Sequence, residues 1–204
     1  MAAVDASQAL LERHTAKAGC YGTGAVLVVY LGFGSLLMAS YIWGVVTLID
    51  LYGSSGAMRL WGHIADPGNE WLLHTYYISI LAATVGFFPS LCYALAVARS
   101  MPARTVNLMC GSFLAFYLTE LPWMPMCVEY IAHRDAAVYL AIRLQLAASG
   151  LFALLWAYCK LCCIPAAVTD GVSPALRVSG CIGTLVFALH CAVLDAIIWP
   201  PRFR

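Results

Sequence analysis

The chain has 204 residues, of which 63% are hydrophobic and 10% charged, with a mean hydropathy of +0.84 and a formal net charge of +1. So little charge cannot cover the water-facing surface of a domain this size, which excludes an ordinary soluble protein. The near-neutral balance also leaves no electrostatic footprint for a nucleic-acid partner.

In chain order, residues 1–23 form a polar N-terminal segment containing Asp5 and Glu12. The segment lacks the basic start and apolar core of a secretory signal, and its acids argue against a mitochondrial presequence. The first apolar helix is therefore expected to act as its own uncleaved signal. Apolar runs follow at 24–49, 73–98, 106–128, 137–163 and 178–199, each close to the roughly 20 residues that a bilayer-crossing helix needs. They are continuous instead of alternating, so helices are expected and not barrel strands. The runs are separated by "DPGNEW" (66–71), "RSMPAR" (99–104), "EYIAHRD" (129–135) and "IPAAVTDGVSP" (164–174). The expectation is an all-α polytopic membrane protein of five helices, without a separate soluble domain.

A cytoplasmic N-terminus would put Arg13, Lys17, Arg99, Arg104, Lys160 and Arg177 inside and Arg59, Arg134, Arg143, Arg202 and Arg204 outside. That nearly even division leans only slightly toward this orientation. Of the nine cysteines, Cys92, Cys110, Cys127, Cys181 and Cys191 fall singly within apolar runs, where cysteine acts as a small apolar residue. "CKLCC" (159–163) contains a C-x-x-C, but no second pair that could shuttle electrons is evident. A lipidation-accessible or packing role for Cys159, Cys162 and Cys163 fits better. No histidine accompanies them at zinc-ligand spacing. Only His190 is clearly mid-span, too few for a haem held by two axial histidines. No metal and no cofactor are expected.

Ionisable groups at bilayer depth cost roughly 2.5–3.5 kcal/mol even on insertion scales and are functional candidates by default. Asp50, Glu129 and Asp195 lie near the ends of their runs and can reach the headgroups. Glu120 lies deeper, in "YLTELPWMP" (117–125). At helical spacing it shares a face with aromatic residues including Phe113, Phe116, Tyr117 and Trp123. Pro122 and Pro125 remove the backbone N–H groups that would bond the carbonyls of Leu118 and Leu121, so a kink is expected there. A second kink is expected at Pro89. Ordinary packing around a protonated glutamate and an apolar ligand pocket with one polar anchor both fit this pattern.

The order of these features resembles the EXPERA family, which includes the emopamil-binding sterol isomerases and the sigma-2 receptor. The likeness runs over roughly residues 30–163. It is carried by Asp50 in "TLIDLYG", by Trp61, Asp66 and Pro67 in "RLWGHIADPGNEW", and by Phe87, Phe88, Pro89 and Tyr93 in "GFFPSLCYAL". The resemblance implies a four-helix membrane domain over 24–163, followed by a loop, a fifth helix and a short basic tail over 164–204. The first four helices would then surround the pocket, with the fifth outside. It also implies residence in the endoplasmic reticulum membrane, with the mitochondrial inner membrane as the alternative. Asp50 and Asp66 would anchor a sterol or cationic amphiphile, and Phe87, Phe88, Tyr93, Tyr117 and Trp123 would form the apolar wall, with Glu120 as a further acid. Ile80 stands where the family carries a helix-2 glutamate, and Val46 where the isomerases carry a histidine. Two members of the proton-transfer apparatus are thus missing. The expectation is a binding protein, a degenerate isomerase at most, with no catalytic residue assigned. The rival expectation is an accessory subunit of a larger membrane assembly, for example respiratory. Small residues in "GTG" and "GFG" would then mark helix contacts, and a homodimer also fits.

Overall fold

A computed structural model describes residues 20–203, so nearly all of the polar 1–23 segment, with Arg13 and Lys17, lies outside the described residues, as does Arg204. The described chain is all-α, with four helices long and apolar enough to cross a membrane. These are α1 (Cys20–Tyr52), α2 (Glu70–Ala98), α5 (Ala136–Cys162) and α6 (Pro174–Arg202). The run at 106–128 is divided between α3 (Ala103–Glu120) and α4 (Trp123–His133). The break at Leu121–Pro122 is where the two prolines withdraw their donors, so the expected kink is a full interruption. Pro89 lies within α2, which runs as one helix from Glu70 to Ala98.

Helix boundaries follow local chemistry. Asp135 caps α5 by accepting from the Ala137 N–H at 2.6 Å, and Ser173 caps α6 by accepting from Leu176 N–H at 3.3 Å. Between α1 and α2, a 3-10 segment (Gly56–Ala65) turns back over the bundle, and Gly62 within it has a left-handed φ of +47°. Two helices carry π-helical turns: α1 at Val28–Phe33 and α6 at His190–Ile198.

The packing order departs from the expectation that the last helix lies outside the others. α6 packs along α2 and along α5. α3 lies along α5, and α4 fits between α1 and α5. The α2–α6 contact is close because two glycines meet: a Cβ on either Gly86 or Gly183 would run into the other's backbone. The sequence shows both as glycines in apolar runs, but not that they face each other.

The buried side chains form two clusters. One, towards the α2–α3 turn, is aromatic: Phe113 stacks on Trp156 with centroids 4.3 Å apart, and Tyr30, Phe116, Tyr117 and Phe187 surround it. The other includes Leu48, Ile64, Tyr76, Ile142, Leu146, Trp199 and Phe203 and lies towards the 3-10 segment and the α4–α5 turn. Tyr41 packs against both. Outward faces of the long helices are apolar and exposed, as at Ile42, Ile78, Leu144 and Ile182, which suits contact with acyl chains.

Candidate functional site

The site forms where the helices lose regularity. Glu120 ends α3, immediately before the break, and is only 5% exposed. Tyr41 of α1 donates its hydroxyl proton to Glu120 Oε1 at 3.0 Å. The neighbouring Ser40 hydroxyl donates to the Leu121 carbonyl at 3.1 Å, replacing the donor that Pro125 lacks. From α5, Gln145 Nε2 donates to the Glu120 carbonyl at 3.5 Å. Four polar groups from three elements thus converge on one interrupted turn.

A second carboxyl extends this site. Asp195 of α6 lies within electrostatic range of both Glu120 and Tyr41. Its Oδ2 is 3.4 Å from His190 Nε2, and His190 Nδ1 is 2.9 Å from the Ser79 hydroxyl of α2. His190 and Asp195 are five residues apart, which in an α-helix separates side chains by about 140° around the axis. The π-helical turn at His190–Ile198 brings them to the same side. A reading in α-helical periodicity does not pair them, and the sequence reading placed Asp195 near the headgroups because it stands close to the end of its run. Tyr41 and Gln145 also escaped the sequence reading, because a tyrosine or glutamine in an apolar run carries no signal until its partner is known.

Two buried polar atoms near this site have no hydrogen-bond partner among the described residues: Trp123 Nε1 and Gln145 Oε1. The Trp123 ring lies edge-on to Tyr41 with centroids 5.3 Å apart, and to Trp199 at 5.4 Å. Among the described residues no lysine or arginine pairs with Glu120 or Asp195, and no group of His, Cys, Asp and Glu could hold a metal ion. The arrangement can accept a hydrogen bond or a positive charge at Glu120 and donate one from Trp123.

The other expected site residues disperse. Asp50 is exposed near the end of α1. Asp66 is exposed and bonded locally to His63 Nδ1 at 2.7 Å. Phe88 is 60% exposed on the outer face. Phe87 joins the aromatic cluster beside Tyr30 and Phe113. Tyr117, one turn before Glu120, donates to the Tyr30 carbonyl at 3.3 Å. Tyr93 instead helps to enclose a group that the sequence reading placed at the membrane edge, Lys160. Its ammonium is buried against the rings of Trp156, Tyr93 and Tyr30 at 4.8, 5.7 and 5.8 Å. It donates to the Ser90 carbonyl at 2.8 Å and to the Ser90 hydroxyl, which lies 2.9 Å from the Thr184 hydroxyl. Three helices meet at that point.

Two open surface concavities are found among the described residues, and neither is lined by Glu120 or Lys160. One, about 520 Å³, is lined by Thr169, Asp170 and Arg177; the other, about 390 Å³, by Leu140, Arg143 and Pro200. Comparisons with family models, with curated proteins and with solved structures found no match.

Proposed function

We propose that this multi-pass membrane protein binds a sterol or a similar amphipathic lipid, with Glu120 as the polar anchor. The observation that carries the reading is a carboxyl group buried mid-bundle at a helix break, flanked by an unpartnered indole N–H and without a basic partner among the described residues. A buried acid that is not neutralised by the protein is suited to a hydroxyl or ammonium brought by a ligand. Tyr41, Trp123 and Tyr117 give the apolar body of such a ligand aromatic surface to lie on. The EXPERA-like order of motifs supports the same class of ligand and an endoplasmic reticulum membrane. It is Glu120, and not Asp50 or Asp66, that has the burial an anchor needs.

The test is equilibrium binding of a radiolabelled sterol and of a cationic amphiphile to the purified full chain in lipid nanodiscs. A hydrogen bond to a charged group is worth roughly 1.5–3 kcal/mol, so Glu120→Gln should weaken binding of the cationic probe about tenfold to a hundredfold. Asp50→Asn should leave it unchanged. Equal binding by wild type and Glu120→Gln would remove the anchor role.

A second reading is favoured by one observation: the open surface concavities are not lined by Glu120. On that reading the chain is an accessory subunit whose polar cluster fixes helix register. Failure of wild type to bind either probe, with stoichiometric recovery of the chain in a larger membrane complex, would establish it.

A further inference from the structure

We infer that the C-terminal segment Trp199–Phe203 is a plug seated over the Glu120 site, and that a ligand reaches Glu120 from this end of the bundle only when the segment lifts. The inference rests on the lipid-binding reading for its purpose, but its geometry stands apart from it.

The segment is the last turn of α6, tightened to a 3-10 turn at Pro200–Arg202, together with Phe203, and its two large rings face inward. Trp199 and Phe203 are 3% and 2% exposed, and their rings stack with centroids 4.1 Å apart. Three bonds or contacts hold the segment to three different elements. Trp199 Nε1 donates to the Leu60 carbonyl of the 3-10 segment at 2.9 Å. The Tyr139 hydroxyl of α5 donates to the Pro200 carbonyl at 2.6 Å. The Phe203 ring lies 5.4 Å from that of Tyr130 in α4. Gly62 makes the seat possible: a Cβ there would meet the Arg202 carbonyl and the Phe203 backbone.

A short aromatic series links the plug to the acid. Trp199 packs on Trp123, Trp123 on Tyr41, and Tyr41 is bonded to Glu120. The unpartnered Trp123 N–H lies within this series. A segment that belonged only to the core would be expected to satisfy that donor, since an orphaned buried N–H costs about 1–3 kcal/mol. A ligand acceptor arriving beside Glu120 would satisfy it. Prolines at 200 and 201 stiffen the segment, so that it would move as a unit about Ile198–Trp199.

Native cysteines provide the readout. Cys127, in the same cluster as Trp199 and Phe203, and Cys191, at the aromatic cluster, are buried and lie within electrostatic range of Glu120, whereas Cys110 and Cys159, also buried in the aromatic cluster, do not. The experiment follows modification of each cysteine in the full chain in nanodiscs by a small water-soluble maleimide, mapped by mass spectrometry. The double variant Trp199→Ala/Phe203→Ala should raise the rates at Cys127 and Cys191 at least tenfold and leave Cys110 and Cys159 unchanged. Unchanged rates at all four would overturn the plug. Should all four quicken, the bundle has loosened generally, and Gly62→Ala decides, because it unseats the segment without altering it. A rise confined to Cys127 and Cys191 in that variant supports the plug, and any other pattern overturns it. No ligand enters the measurement, so a protein that binds no lipid but still shows the selective rise would separate the two ideas.

Discussion

Lys160 tests how far a single buried charge can be read from sequence. It stands three residues before the end of an apolar run, where a lysine ordinarily extends to the headgroups. Instead it turns inward, because the space between α2, α5 and α6 offers ring faces and the Ser90 oxygens. Among the described residues no carboxylate pairs with it. The Ser90 hydroxyl keeps its Thr184 partner when the ammonium is removed. Replacing a buried ion by an apolar side chain of similar volume is often neutral or stabilising. Lys160→Met should therefore change stability by less than about 1 kcal/mol, whereas Lys160→Ala, which leaves a cavity, should cost about 2–4 kcal/mol. Thermal unfolding in detergent distinguishes them, and a large loss in Lys160→Met would show that the ammonium bonds hold the three helices together. Glu120 was legible because charge, depth and prolines coincide in one stretch. Lys160 was not, because its depth depends on which helices surround it.

Among the elements, the long helices were the most legible, since apolar length bounded by turn residues is a property of the chain alone. Their pairing was not, because a close approach depends on small residues meeting across two helices. The Gly86–Gly183 contact shows this. Gly183→Val should cost about 3 kcal/mol, the upper end of the usual overpacking range, because both sides of the contact are backbone. Gly111 is the control: nothing lies within 4 Å of a Cβ there, so Gly111→Ala should be neutral or stabilising by up to about 1 kcal/mol. Guanidinium or detergent-ratio unfolding of the two variants measures the difference. If Gly183→Val is tolerated, the α2–α6 seam is looser than these contacts require. The two proline positions differ for a related reason. At Pro122 a second proline follows within a turn and Ser40 takes over the freed carbonyl. Near Pro89 no second proline follows within a turn, and the adjacent Ser90 is held from α5 by Lys160 and from α6 by Thr184 within a single helix.

For the whole molecule, α6 joins what the sequence divides. Residues 24–163 were expected to make the pocket alone. Yet α2 reaches the rest of the bundle chiefly through α6, and α6 also supplies His190, Asp195 and the plug. A chain ending at residue 163 should therefore fail to form a protease-resistant core in nanodiscs, and adding residues 164–204 as a separate polypeptide should restore it. Resistance of the shortened chain equal to that of the full one would show that α6 is an accessory after all. The all-α membrane class was legible from composition, because a bilayer imposes it on any chain this apolar. Helix order in space was not, since lipid is as apolar as the helix faces and only small residues and polar pairs choose among them.

The π-helical turn of α6 carries a final consequence, in the arithmetic of chain length. A π turn holds more residues than an α turn, so the stretch His190–Ile198 behaves as an α-helix with a residue to spare. Losing one residue there would let the helix run on in ordinary register, with its backbone bonding intact. The helix on either side would keep nearly the same faces, since five residues of a π turn and four of an α turn sweep about the same angle. Trp199 and Phe203 would stay towards the bundle interior, and His190 and Asp195, then four apart, would remain on one side. The same loss in the regular part of α6 would instead turn everything downstream by about 100°. Among related chains, a one-residue difference in the length of α6 should accordingly fall within this stretch and not elsewhere in the helix.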